Sequence, residues 1–178
     1  MMKKKLSLLL ISAFVLLALI GVLFFVKSRA KEYEDAQKVH YDTLIDLTAN
    51  KITGISWVTS SGEEYAFARQ DGTWKFEKDE SFSVNQEAAN TLASGMTGVS
   101  VYQVIPDVKD LSAYGLTEPA YRISVTDRDG NVTTVLIGDN NETAGSVYAI
   151  YEGEPDTVYS VQPSIKAAVE KTLEDFAE

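Results

Sequence analysis

None of the 178 residues is a cysteine, which removes disulfides, thiol catalysis and thiolate metal sites together. Histidine occurs once, at His40, so a Ser-His-Asp relay or a histidine metal site has almost nothing to be built from. The glycines are scattered: Gly62, Gly72, Gly115, Gly130, Gly138 and Gly153 stand singly as turn residues. None forms the glycine-rich passage from a strand into a helix that cradles a phosphate. Positive charge is scarce as well. Of the 16 Lys and Arg, six (Lys3, Lys4, Lys5, Lys27, Arg29 and Lys31) lie before residue 32, leaving ten against all 26 acidic residues, a balance of −16. Such a surface repels nucleic acid and anionic lipid headgroups, because binding either requires an approach to phosphate. No nucleic-acid partner and no cofactor is expected.

What the chain does have is one long uncharged run, Leu6–Val26, opened by three lysines and closed by Lys27, Arg29 and Lys31. As a helix it spans roughly 30 Å, about the hydrocarbon thickness of a bilayer. The competing reading is a cleaved secretory signal, since Ser28-Arg29-Ala30 imitates a small-x-small cleavage pattern. Signal h-regions are shorter, about 7–15 residues, and basic flanks make a poor cleavage site. The expectation is therefore a retained single-pass anchor. With a short N-terminal tail in the cytoplasm, the C-terminal part is extracytoplasmic.

Beyond the anchor, residues 29–47 carry Tyr33, Ala36, His40, Tyr41 and Leu44 at spacings of three and four, which predicts a helical stalk. From Ile52 the period changes to two. Ile52 to Val58, Tyr65 to Ala68 and Thr73 to Phe76 predict a three-stranded meander, with Asp71-Gly72 as a hairpin turn. Ser83 and Gln86 have the spacing of a capping box, opening a helix with Ala89, Leu92, Ala93 and Met96 on one face and ended by Gly95 and Gly98. Further strands are expected at 99–105, 121–126, 132–137, 147–151 and 157–161. Gly115 falls at a left-handed helix stop, and Asp129-Gly130 at a second hairpin. A terminal helix follows Pro163, with Ile165, Ala168, Val169, Thr172, Leu173 and Phe176 on one stripe.

Hidden in this order is a weak repeat. Tyr65-Ala66-Phe67 leads through a turn to Trp74-Lys75-Phe76 and a helix, and Tyr148-Ala149-Ile150 leads to Val158-Tyr159-Ser160 and a helix. The fold class expected is α+β: two similar antiparallel meander-plus-helix halves forming one domain, each helix covering an apolar sheet face. The layout is a tail at 1–5, a transmembrane helix at 6–26, a stalk at 27–50 and a domain at 51–178 whose halves are about 51–105 and 119–178.

Leu111-Ser112-Ala113-Tyr114-Gly115-Leu116 with Pro119-Ala120-Tyr121, Val125-Thr126-Asp127 with Asp129-Gly130, Leu136-Ile137-Gly138-Asp139, and in the first half Gly72-Thr73-Trp74 form a distinctive set. Together they resemble the family of domains of unknown function DUF4340. The resemblance covers roughly 52–176. It implies a bacterial, membrane-tethered extracytoplasmic protein, sometimes encoded beside ABC-type transporter components, and it carries no established activity and no catalytic residues.

Three oxygen- or ring-rich groups remain as candidates for chemistry. Asp127, Asp129 and Asn131 imitate the start of a calcium loop, but position twelve would be Gly138, which has no carboxylate, so a hairpin turn is the better reading. Asp139-Asn140-Asn141-Glu142 is read as a solvated loop. Among the aromatics, core is the ordinary reading for rings in strands. Tyr148 and Tyr151 fall on opposite strand faces, so one of them at most is core; Tyr148, Tyr151 and Trp57 are the candidate partner contacts. Two functions follow. The preferred one is a non-enzymatic interaction module, anchored through its helix and docking on a membrane protein such as an ABC-type transporter complex. The alternative is a cell-wall glycan-binding protein or hydrolase using paired carboxylates and exposed rings.

Overall fold

The computed structural model describes residues 43–178. The expected tail, the anchor at 6–26 and the stalk up to residue 42 lie outside the described residues. Among the described residues, no helix is long and apolar enough to cross a membrane.

Among the described residues eight strands form one sheet in which every pair is antiparallel. In chain order they are β1 (Ile52–Thr59), β2 (Glu64–Gln70), β3 (Thr73–Phe76), β4 (Val101–Ile105), β5 (Tyr121–Asp127), β6 (Val132–Asn141), β7 (Ser146–Tyr151) and β8 (Val158–Val161). Among the described residues two helices accompany them, α1 (Gln86–Gly95) and α2 (Ser164–Val169). The spatial order is β3-β2-β1-β5-β6-β7-β8-β4. The fold is α+β with two similar sheet-and-helix halves, β1-β2-β3-α1 and β6-β7-β8-α2. The halves exchange their ends. β4 follows α1 in sequence but pairs with β8 of the other half. In return, the chain after α2 crosses to the first half, where Ala177 bridges Val84 and the Asn85 N–H donates to the Phe176 carbonyl at 2.8 Å. The expected boundary at 105 is thus a boundary in sequence only.

Pleat alternation puts Ile55, Trp57, Phe67, Phe76, Ile123, Val125, Val135, Ile137 and Val161 on one buried face, with Leu92, Ala93, Ile165 and Val169 of the helices in the same core. Trp57 stacks on Tyr65 with ring centroids 4.8 Å apart, and Phe176 reaches Phe67 at 4.8 Å. Burying such side chains contributes about 1.5–3 kcal/mol each, so the C-terminal crossing is held by a large apolar plug. Where α1 meets α2, a Cβ added to Gly95 would lie 2.8 Å from the Ala168 Cβ, which explains the glycine in the last turn.

Four local expectations change. Residues 43–48 of the expected stalk are not helical: Thr43 bridges Ser100, the Leu44 N–H donates to the Val99 carbonyl at 2.8 Å, and Leu44 and Ile45 are buried in the core. Their apolar side chains close the sheet end instead of lining a spacer. The N-cap of α1 is Asn85, whose Oδ1 accepts from the Glu87 and Ala88 N–H groups at 3.1 and 3.0 Å. Gln86 is drawn away to Trp74. The terminal helix stops at Val169, and Leu173–Phe176 is a separate 3-10 turn, because a continuous helix could not turn Phe176 down onto Trp57 and Phe67. Finally, Asp139–Asn141 continues β6 beyond a bulge between Ile137 and Asn140 and is not a loop.

Candidate functional site

The second face of the sheet is covered only in part. Val108, Leu116, Ile150 and Val158 form a smaller buried cluster, flanked by Ile105, Leu111, Tyr114, Leu136 and Tyr148. Its cover is the connection from β4 to β5, which includes a 3-10 turn at Ser112–Tyr114 ended by Gly115 in the left-handed region, at φ 66°. Asp110 fixes the entry to that turn by accepting from the Ser112 hydroxyl at 2.6 Å and its N–H at 2.9 Å. Those two hydrogen bonds hold its carboxyl below the usual carboxylate range.

The turn sits on the bulged part of β6. A Cβ on Gly138 would collide with the Tyr114 carbonyl oxygen and lie 2.9 Å from Leu116 Cγ, and one on Gly115 would collide with the Asp139 carboxylate. Tyr-Gly-Leu and Ile-Gly-Asp, far apart in sequence, are two surfaces of one interlock. Tyr114 then meets Tyr148 edge to face, with centroids 4.9 Å apart. The Tyr148 hydroxyl accepts from Asn141 Nδ2 at 2.8 Å. Nearby lies a buried Ser146–Ser160 hydroxyl pair at 2.7 Å, one donating to the other.

Of the candidate contacts, Trp57 is 1% exposed and belongs to the core. It is withdrawn as a contact, since its strand neighbours Tyr65 and Ile123 and the crossing Phe176 bury it completely. Tyr148 and Tyr151 do lie on opposite faces, yet both are partly buried. Tyr151 packs on Tyr159 and donates its hydroxyl proton to the Leu44 carbonyl. The β4–β5 connection lies over Tyr148, so neither ring stands freely exposed.

Two concave surfaces lie at opposite ends of the β6–β7 pair. A cleft of about 250 Å³ is bounded by the β6–β7 hairpin and α2, where Lys166 donates to Asn140 Oδ1 at 2.8 Å with Glu142 and Glu170 on the rim. A wider, shallower groove of about 540 Å³ runs along Val132, Thr134, Tyr151, Glu152 and Glu154. Beside it Arg122 grips Glu152 through two hydrogen bonds of 2.6 and 2.8 Å. That contact lowers the Glu152 carboxyl and raises the Arg122 guanidinium.

The Asp127 cluster is a turn device. Its carboxylate accepts from the Asn131 side-chain amide at 2.9 Å and from the Asn131 and Asp129 N–H groups at 2.9 and 2.8 Å, which lowers its pKa. Oxygens so engaged serve the hairpin. Among the described residues, no group of three or more His, Cys, Asp or Glu could hold a metal ion.

These features define an α+β module of two end-exchanged halves, locked by glycine contacts between two short signature segments. The chain belongs to the family described as Domain of unknown function (DUF4340), whose model matches residues 24–119 and 74–178. No curated protein and no solved structure matches it.

Proposed function

We propose that this protein is a non-enzymatic, membrane-tethered interaction module: the run at 6–26 anchors it, the β-rich domain stands outside the cell, and the domain docks on a membrane protein, an ABC-type transporter complex being the partner class the family resemblance suggests. The observation that carries this reading is the use made of the signature residues. Tyr114, Gly115, Leu116, Gly138 and Asp139 pack on one another and shape a rigid surface. A module whose characteristic residues build shape is suited to recognition. The carboxyls with altered affinity for protons, Glu64, Asp79, Asp110, Asp127, Glu152 and Asp175, are all shifted downward. A glycosidase acid needs a shift upward, so these groups lend the glycan-hydrolase alternative no support. Crosslinking in intact cells followed by mass spectrometry tests the proposal. It expects one membrane protein enriched reproducibly with this chain. Enrichment of abundant neighbours alone, with no complex altered by deletion of the chain, would count against it.

A further inference from the structure

The two edges of the sheet are finished differently. At β3 the Gln86 side chain acts as a plug: its Oε1 accepts from the Trp74 N–H at 2.8 Å and its Nε2 donates to the Trp74 carbonyl at 3.0 Å. One side-chain amide thereby mimics the strand that would otherwise add there, and exposed Lys75 sits on the same edge. The opposite edge, β4, has neither device. Val101-Tyr102-Gln103-Val104-Ile105 carries no charge, and Tyr102 and Val104 are 41% and 46% exposed, two of the three large apolar side chains left exposed among the described residues. Thr43 bridges Ser100, so within the described residues the outer edge is covered only up to the start of β4.

The far end of that edge is acidic. The Val108 N–H donates to the Asp156 carbonyl at 2.9 Å, which sets Asp107 beside Asp156. Glu154 lies against the hydroxyl of Tyr159, and Tyr159 is the residue paired with Val104.

We propose that β4 is the docking edge of the module, and that it accepts an extended segment of a partner protein with alternating β-branched or aromatic residues followed by a basic one. Main-chain hydrogen bonds along β4 supply the affinity, Tyr102 and Val104 the side-chain match, and Asp107, Glu154 and Asp156 the preference for Lys or Arg. A second copy is the poorer occupant, because its own balance of −16 after residue 31 would meet a surface of the same sign. This inference rests on the interaction-module reading and assigns it a surface.

The test is exchange of those backbone amides of Val101–Ile105 that point away from β8, in the full chain in detergent, with the peptide acetyl-Lys-Thr-Val-Tyr-Val-Thr-Lys-amide as probe and a version with both Lys changed to Glu as comparison. The expected result is exchange slowed at least about tenfold by the Lys peptide, little changed by the Glu peptide, and restored in Val104→Lys and in Tyr102→Lys, both checked for retained fold by circular dichroism. Three results overturn the proposal. Exchange already slow without peptide at every protein concentration would show that the chain's own residues before Thr43 fill the edge. Slowing that appears only as protein concentration rises would make the occupant a second copy. No slowing, or equal slowing by both peptides, would rule out a basic extended segment as the occupant. In each case a partner still captured by crosslinking in cells leaves the broader interaction reading intact.

Discussion

Gly138 leaves the space in which the Tyr114 carbonyl oxygen sits, so a glycine on β6 is explained by a turn more than twenty residues upstream. Replacing Gly138 with Ala forces the turn off the sheet. Overpacking of this kind costs about 1–3 kcal/mol, and chemical denaturation should register a loss of that size. Gly153→Ala, with no neighbour within 4 Å of the added Cβ, should stay within about 0.5 kcal/mol of the parent.

Gln86→Ala should destabilise by more than the loss of a surface side chain would suggest. It removes two part-buried hydrogen bonds to the Trp74 N–H and carbonyl, each contributing about 0.5–1.5 kcal/mol. It also opens β3 to strand addition. Denaturation midpoints should fall, and size-exclusion chromatography should show concentration-dependent association that the parent lacks.

Phe176→Ala should rank among the most damaging single changes. The ring contacts Trp57 and Phe67 and pins the exchange of ends between the two halves. Large-to-small replacement at such a site costs about 3–5 kcal/mol. Trimming only Glu178, whose N–H donates to the Ser83 carbonyl, should cost far less.

The Arg122–Glu152 pair makes a prediction in pH. Folding lowers the Glu152 carboxyl, so the stability it adds is complete above its unfolded value of about 4.3 and disappears as pH falls through the lower folded value. Both side chains are nearly half exposed, and solvent screening limits the contribution to about 0.2–1 kcal/mol. Glu152→Gln should show that deficit at pH 7 and converge with the parent in acid. A deficit that persists unchanged in acid would assign the effect to packing.

The residues that announced themselves were those with purely local causes. Asp71-Gly72 and Asp129-Gly130 do close hairpins, and Gly115 does take the left-handed region. The repeat was visible because each half keeps its own period-two strands and its own helix. What escaped were choices made by distant partners. Gln86 has capping-box spacing after Ser83, but Trp74 engages its amide and Asn85 supplies the cap. The stripe from Ile165 to Phe176 looks continuous, yet Phe176 is needed in the other half. Leu44 fits a helical spacing and is claimed by Val99 and the core. Trp57 could be a contact or core on pattern alone, and only the crossing of the C-terminal segment decides. The interlock itself was present in the sequence as two short segments. Nothing local said that they touch.

The claim on which the functional account stands is a tethered domain on the outer side of a membrane. Digestion of intact cells with an external protease, using the full chain tagged at both ends, tests it most directly. The account predicts that the C-terminal tag and domain are lost while the N-terminal tag stays protected in the washed membrane pellet. A mature chain released into the medium and beginning near Lys31, or a C-terminal tag as protected as the N-terminal one, would contradict it.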